Sequence, residues 1–440
     1  MKKKRLVIMV VSILIFLLFH LTCAHDHSQG TKSKNNLVTI EKEDTHYKIV
    51  LDYRSNPNPY DVGKEYFLKL KQKIPHIERI LDSYLSEMSY NNRKIYRIGL
   101  ARGRRLRMNI PWQYRNEIRG MAAALSNPQS DVLNDGKLSL NELFALNLLP
   151  DIGRGTACSG ISIWGSLSKN RRVITGRNLD WNPGSRGQLY KLNAITTILY
   201  GPHQKKRSIA MLGFCGMSSV ITGFNDKGLF AGILDASTGQ RYRLYKKNRS
   251  YVMDLRKALE ESTSVSEISR YMTDKRKQYS FNHLILVSDV KQSKVIENYI
   301  FRRKRRARGS QSRLHHGVQW NQKDAICTVN SFLLRNNFNN HKYRPFNYKR
   351  FNAYKKLILR YKQKSPKGKL RVEDIKSMIT FKKEGLDFFD SKIRSIFMTG
   401  GRSKTLQSCI FIPETKELYI YFRQGNSSWG KPSFKAIKIF

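Results

Sequence analysis

The chain has 440 residues, 40% of them hydrophobic, enough to bury a sizeable core in one to about three domains, which excludes disorder of the whole. Its 81 Lys and Arg against 33 Asp and Glu give a formal charge of +48, an excess spread along the chain rather than gathered in a tail. A dispersed excess reads as a solvated basic surface. The one dense run, RRKRRAR from Arg302 to Arg308, is either a charged loop or a patch facing an anionic substrate or membrane surface.

Met1 to Ala24 carry KKKR, then the apolar run LVIMVVSILIFLLFHL, then LTCA, which together read as a signal peptide for export. The alternative is an uncleaved membrane anchor, because the run approaches the length of a spanning helix. Removing Cys23 with the leader leaves Cys158, Cys215, Cys327 and Cys409, all far apart. That is no disulfide framework: if one thiol is a nucleophile, the other three are buried core.

Residues 25 to about 60 are polar and Asn-rich and read as a loosely ordered lead-in. After Pro75, Ile77, Ile80, Leu81, Tyr84, Leu85 and Met88 fall on one helical stripe. RNEIRGMAAALSN and SLNELFALNLL predict two more helices. Between them DVLNDGKLSLNE, Asp131 to Glu142, has the outline of a calcium loop, but Leu133 stands where an oxygen ligand is needed, so the stretch reads as a turn into a helix.

From Cys158 the pattern changes to strands. ISIWGSL and RRVITGRNL form one pair, VITGF and LFAGIL a hairpin around Asn225 to Gly228, and HLILVSDVKQSKVIENYI another. MDLRKALEES is helical, and Ser264 with Glu267 forms a capping box before the next helix. AICTVNSF is a strand, Phe351, Tyr354, Ile358 and Tyr361 mark a helix, and QSCIFIPETKELYIYF with FKAIKIF closes the chain in strands. With no regular βαβ alternation, these elements predict an α+β fold of two packed antiparallel sheets flanked by helices.

Cys158 heads its strand, and no histidine lies near it in sequence. Thiol chemistry needs a base. Cutting the peptide bond before Cys158 supplies one, since the freed α-amine has a pKa of about 8 and sits a few atoms from the sulfur. Arg177 and Asp180, in GRNLDW on the neighbouring strand, are candidates to hold such a terminus.

CSGISIW with GRNLDW closely resembles the start of the mature subunit in N-terminal nucleophile (Ntn) hydrolases of the choloylglycine hydrolase, acid ceramidase and penicillin acyltransferase group. TGFNDKGLFAGILD, HLILVSDVKQSKVIE, CTVN, KRF and TLQSCIFIPETKELYIYF resemble further family segments in the same order, over about 115 to 425. The resemblance implies a four-layer αββα sandwich, with residues 25–157 as a mostly helical small subunit and 158–440 as the catalytic domain. It implies Cys158 as nucleophile, Arg177 and Asp180 as its orienting pair, Asp235 on the oxyanion side, Asn330 as oxyanion donor and Arg350 as the helix arginine. Asparagine or glutamate is more usual at Asp235, and histidine is more usual than Ser331 after Asn330, departures that leave the substrate open.

The implied reaction cleaves a linear amide of an N-acyl small molecule or lipid through a thioester, with no metal or organic cofactor and no specific nucleic acid. The partners expected are that substrate, an anionic membrane surface, and the two chains left by self-cleavage. Two alternatives stay open: an acyltransferase passing the same acyl group to an amine, and a non-catalytic polyanion or membrane-surface binder.

Overall fold

A computed structural model describes residues 36–153, 158–236, 248–301, 304–340, 345–382, 388, 404–425 and 432–440. The expected leader and the Ala157 side of the Cys158 junction lie outside these residues. Leu37–Phe440 is one compact unit.

The first strands are β1 (Val38–Lys42) and β2 (Tyr47–Asp52), where a loosely ordered lead-in was expected. Their period-two pattern explains the difference: Val38, Ile40, Tyr47, Ile49 and Leu51 are buried while their neighbours face outward. Helices α1 (Pro59–Lys73), α2 (Ile77–Met88), α3 (Arg93–Arg107), α4 (Trp112–Ala123), α5 (Leu140–Asn147) and α6 (Leu149–Ile152) follow. α2 lies where the apolar stripe predicts it. The calcium-like stretch becomes the entry to α5, where Ser139 and Glu142 form a reciprocal capping box. α1 and α4 touch backbone to backbone: a Cβ on Gly63 would lie 1.9 Å from the Glu117 carbonyl oxygen, and one on Gly120 at 1.9 Å from that of Tyr60.

Beyond the junction come β3 (Ser159–Ile163), β4 (Ile174–Trp181), β5 (Asn193–Leu199), β6 (Ile209–Phe214), β7 (Thr222–Asn225), β8 (Phe230–Asp235) and β9 (Asn248–Arg249). Then follow α7 (Tyr251–Glu261), α8 (Val265–Thr273), β10 (Gln278–Tyr279), β11 (His283–Ser288), β12 (Ser293–Tyr299), β13 (Lys304–Arg308) and β14 (Ala325–Thr328). The last elements are α9 (Pro345–Lys364), α10 (Val372–Ile379), β15 (Lys404–Ile412), β16 (Glu417–Phe422) and β17 (Lys435–Lys438). The Ser264 side chain caps α8, but the Glu267 carboxylate turns to the Thr263 amide rather than completing the expected box with Ser264.

Among the described residues nine strands form one large sheet in the order β1-β2-β5-β6-β7-β8-β11-β12-β13, six form a second in the order β14-β3-β4-β15-β16-β17, and β9 and β10 pair separately. Pairing within the first two sheets is antiparallel except between β2 and β5. α7 and α8 pack on the larger sheet, α9 and α10 on the smaller, which makes the four layers. Between the sheets, Ser162 shares hydroxyl hydrogen bonds with Ser293 at 2.6 Å and Thr175, and Thr175 donates to Ser288 at 2.8 Å. The sheets therefore meet through a satisfied hydroxyl chain as well as apolar side chains.

A buried ionic cluster ties the N-terminal segment to the larger sheet. Arg256 of α7 donates to both Glu117 oxygens, at 2.8 and 2.9 Å, and to Glu260 at 2.9 Å, while Tyr53 and Tyr114 hydroxyls bond Glu117 and Glu260. Burial alone would raise the Glu117 carboxyl, but the Arg256 charge and hydrogen bonds from Arg256, Ser218 and Tyr53 hold it below the ordinary value. The stability this contributes is present above about pH 4.3 and is lost as pH falls through the lower folded value. Replacing Arg256 by Met leaves the buried Glu117 carboxylate without its cation, whereas Glu260 keeps Lys206 at 2.9 Å. Urea denaturation at neutral pH is expected to show a loss of about 3–5 kcal/mol, and an unchanged midpoint contradicts this account of the cluster.

Candidate active site

Cys158 is fully buried and stands immediately before β3. In the β3–β4 pair Ser159 faces Asn178 and Gly160 faces Arg177. That register carries the Cys158 Sγ to 3.8 Å from Nη2 of Arg177 and 4.0 Å from the carbonyl oxygen of Asp180. Successive strand residues point to opposite faces, so Arg177 and Asp180, three apart, leave β4 on opposite sides.

Arg177 enters the space between the sheets. Nη1 bonds the Thr222 hydroxyl of β7, and Nη2 donates to the Ile233 carbonyl of β8 at 2.5 Å. Its path lies over Gly232, where an added Cβ would stand 2.4 Å from the Arg177 Cδ and 2.6 Å from Nε. Gly176, Asn178 and Asp180 turn the other way: Gly176 abuts Ile375 and Ile379 of α10, and Asn178 Nδ2 donates to the Ile379 carbonyl at 2.7 Å. Asp180 accepts from the Thr405 hydroxyl at 2.7 Å.

Arg350, buried on α9, reaches the same point from outside. Its Nη2 donates to the Cys158 carbonyl at 3.1 Å and its Nη1 to Oδ1 of Asn330 at 3.1 Å. Asn330, just past β14, donates from Nδ2 to the Asp235 backbone carbonyl at 2.9 Å. Cys158, Arg177, Asp180, Asn330, Asp235 and Arg350 thus form one connected group, which Asp235 joins through its backbone. Burial pushes the Arg350 guanidinium below its ordinary value, an effect opposed first by the negative charge of Asp180.

The other described cysteines are buried and unpaired with one another. Burial raises the thiols of Cys215 and Cys327, and pushes that of Cys409 up to about 12 despite the nearby Arg177. They are neutral at ordinary pH, as core cysteines are.

Several supporting residues carry no sequence signal of their own. Thr222 and Thr405 are isolated threonines in strand-like runs. Asn347 donates from Nδ2 to the Asn330 carbonyl and to the Ser331 hydroxyl, both at 3.1 Å, and its placement one helical turn before Arg350 is the one hint of its role. The basic run divides: Arg308 is buried, bonded to Glu297 and the Cys327 carbonyl, and Arg305 is buried against the carbonyl of Asp274, so those two are structural rather than a patch. Three apart in β13, they leave it on opposite faces, and packing buries both while Arg306 between them stays exposed.

Two antiparallel sheets facing one another between helical layers, with a cysteine at the head of a strand of the smaller sheet, define the Ntn hydrolase fold. The family model described as acyl-coenzyme A:6-aminopenicillanic acid acyl-transferase matches residues 166–427, more than half of the sequence. The chain belongs to that family, within the Ntn hydrolase group, and is accordingly an enzyme of the amide-cleaving and acyl-transferring class. The matched span begins downstream of Cys158 and includes the five partners named above.

Among solved structures, the Caenorhabditis elegans N-acylethanolamine-hydrolyzing acid amidase (NAAA) ortholog is similar at 15% identity, covering 58% of this chain and 93% of that one, with a TM-score of 0.36. A variant of the conjugated bile acid hydrolase from Clostridium perfringens is 14% identical, covering 64% and 92%, with a TM-score of 0.39. Penicillin V acylase from Agrobacterium tumefaciens is 14% identical, covering 64% and 86%, with a TM-score of 0.38. No curated protein matches the sequence.

The contact over Gly232 can be measured. Because Arg177 is pinned at both ends of its guanidinium, its middle cannot yield to a new methyl group. Gly232→Ala is expected to cost about 1–3 kcal/mol in urea denaturation. Gly213→Ala, where nothing lies within 4 Å of the added carbon, serves as the control for strand glycine replacement. Equal effects at the two sites contradict the assignment.

Proposed function

We propose that this chain is a self-activating cysteine amidase in which Cys158 is both nucleophile and, through its own freed amine, the base. In activation the Cys158 sulfur attacks the Ala157 carbonyl, the peptide nitrogen leaves as the new α-amine, and water hydrolyses the resulting thioester. In turnover the amine takes the thiol proton, the sulfur attacks the amide carbonyl of an N-acyl substrate, and the ammonium returns the proton to the departing nitrogen. Water, deprotonated by the same amine, then releases the acid. Asn330 and a backbone amide near Asp235 stabilise the oxyanion in both half-reactions.

The observation that carries this reading is the setting of Cys158. Its sulfur lies beside the Arg177 guanidinium and the Asp180 carbonyl, and its own carbonyl is tied by Arg350 to Asn330. Arg177 steadies the thiolate electrostatically. Arg350 fixes the first peptide unit of β3, so the sulfur and the new amine are held in register with the oxyanion donor. Family membership supports an acyl-group substrate.

The family's description favours a second reading of the same thioester, in which an amine rather than water takes the acyl group. Including a primary amine during turnover of an N-acyl amide distinguishes the two: hydrolysis yields only the free acid, transfer yields the new amide.

Acid quenching during turnover, followed by digestion, should leave the acyl mass on the Cys158 peptide; an acyl group on another residue rejects the assignment. Cys158→Ala is expected to abolish both chain cleavage and turnover while leaving the fold intact by circular dichroism. Asn330→Ala should lower kcat about 10²–10³-fold, and retention of wild-type kcat contradicts its role as oxyanion donor.

A further inference from the structure

The corner between α3 and α4 combines charge and apolar exposure in a way the amidase chemistry does not use. From Arg93 to Arg119 the sequence holds nine Lys and Arg and one acidic residue, Glu117, which is buried against Arg256. The outward side of α3 carries Arg93, Arg97, Ile98, Arg104 and Met108. Met108 at 66% and Trp112 at 57% are the two most exposed large hydrophobic side chains among the described residues, and they sit on either side of the turn. Asn109, between them, donates from Nδ2 to the Asn248 carbonyl at 2.9 Å, and Pro111 opens α4, so the turn is anchored to the body of the protein.

Cations outnumber carboxylates on this face, by nine to one between Arg93 and Arg119. On this face Arg104 pairs with Asp131 at 3.3 Å. The Arg107 guanidinium is pushed below its ordinary value by burial and then by the charges of Arg119, Arg104 and Arg115, with Asp131 opposing.

We propose that the α3–α4 corner is a docking surface for an anionic lipid bilayer, with Met108 and Trp112 entering the headgroup region and the surrounding arginines meeting lipid phosphates and carboxylates. A basic face that also presents an aromatic and a flexible apolar side chain at its apex fits the boundary between headgroups and acyl chains. Single-stranded nucleic acid could use the same cations with Trp112 stacked on a base, but the pairing of an aromatic with a flexible apolar side chain at the apex favours the headgroup boundary. Among the described residues no helix is long and apolar enough to cross a membrane, so contact through this corner is interfacial. Attraction to anionic lipid weakens with salt, because it rests on surface charge.

Hydrogen-exchange mass spectrometry on the full chain tests this with a local readout. Vesicles of phosphatidylcholine with phosphatidylserine are expected to slow exchange in peptides spanning 104–116 by about tenfold at low salt, while pure phosphatidylcholine does not. Met108→Ser with Trp112→Ser, two exposed positions with no part in the buried core, should remove that protection. Raising the salt to about 0.5 M should reduce it. Vesicle binding that protects other segments and leaves 104–116 unchanged overturns the proposal. So does protection that survives the double substitution, or an RNA oligonucleotide that protects the segment equally in both proteins.

Discussion

The antiparallel register between β3 and β4 is the constraint on which the site depends. It sets Gly160 against Arg177, and so brings the residue that precedes β3 level with the end of GRNLDW. Because strand side chains alternate, a three-residue spacing sends Arg177 into the layer between the sheets and Asp180 toward the covering helices. One residue of slip would exchange those faces, placing Gly176 or Asn178 where Thr222 and the Ile233 carbonyl now receive the guanidinium.

That arrangement buries charge at the centre of the molecule, and the surroundings are built to satisfy it. Arg177 is met by a hydroxyl and a carbonyl from two strands of the larger sheet, and Gly232 leaves room for its stem. Arg350 is met by the Cys158 carbonyl and Asn330, with Asn347 bracing the Asn330 carbonyl. Each buried guanidinium therefore spans elements distant in sequence. The two arginines bind the smaller sheet to the larger one and to α9, and the same contacts orient the cysteine. Stability and positioning are coupled here, since a buried cation with a missing partner costs several kcal/mol.

Most of the fold was legible because its elements carry clean periodicities and turn chemistry. The stripe from Ile77 to Met88, the Asn225–Gly228 turn and the alternating strands of the last hairpin lie where their patterns put them. The first two strands were missed because a polar, Asn-rich background obscured a short alternating pattern, and their burial depends on β5, which lies far along the chain. The six candidate residues could be named from motif order, and they lie in one connected group. Thr222, Thr405 and Gly232 could not be named, because their importance arises from which strand of the opposite sheet lies over Arg177, a tertiary fact with no local signature. The dense basic run illustrates the converse: its charge is plain in the sequence, but packing buries Arg305 on one face of β13 and Arg308 on the other.

The account stands on Cys158 becoming a chain terminus whose own amine serves the sulfur. Denaturing mass spectrometry of the purified wild-type protein, with N-terminal sequencing of the heavier product, addresses this most directly. The predicted result is two chains, the heavier beginning at Cys158. A single polypeptide continuous across residues 157 and 158, turning over substrate at full rate, would contradict it.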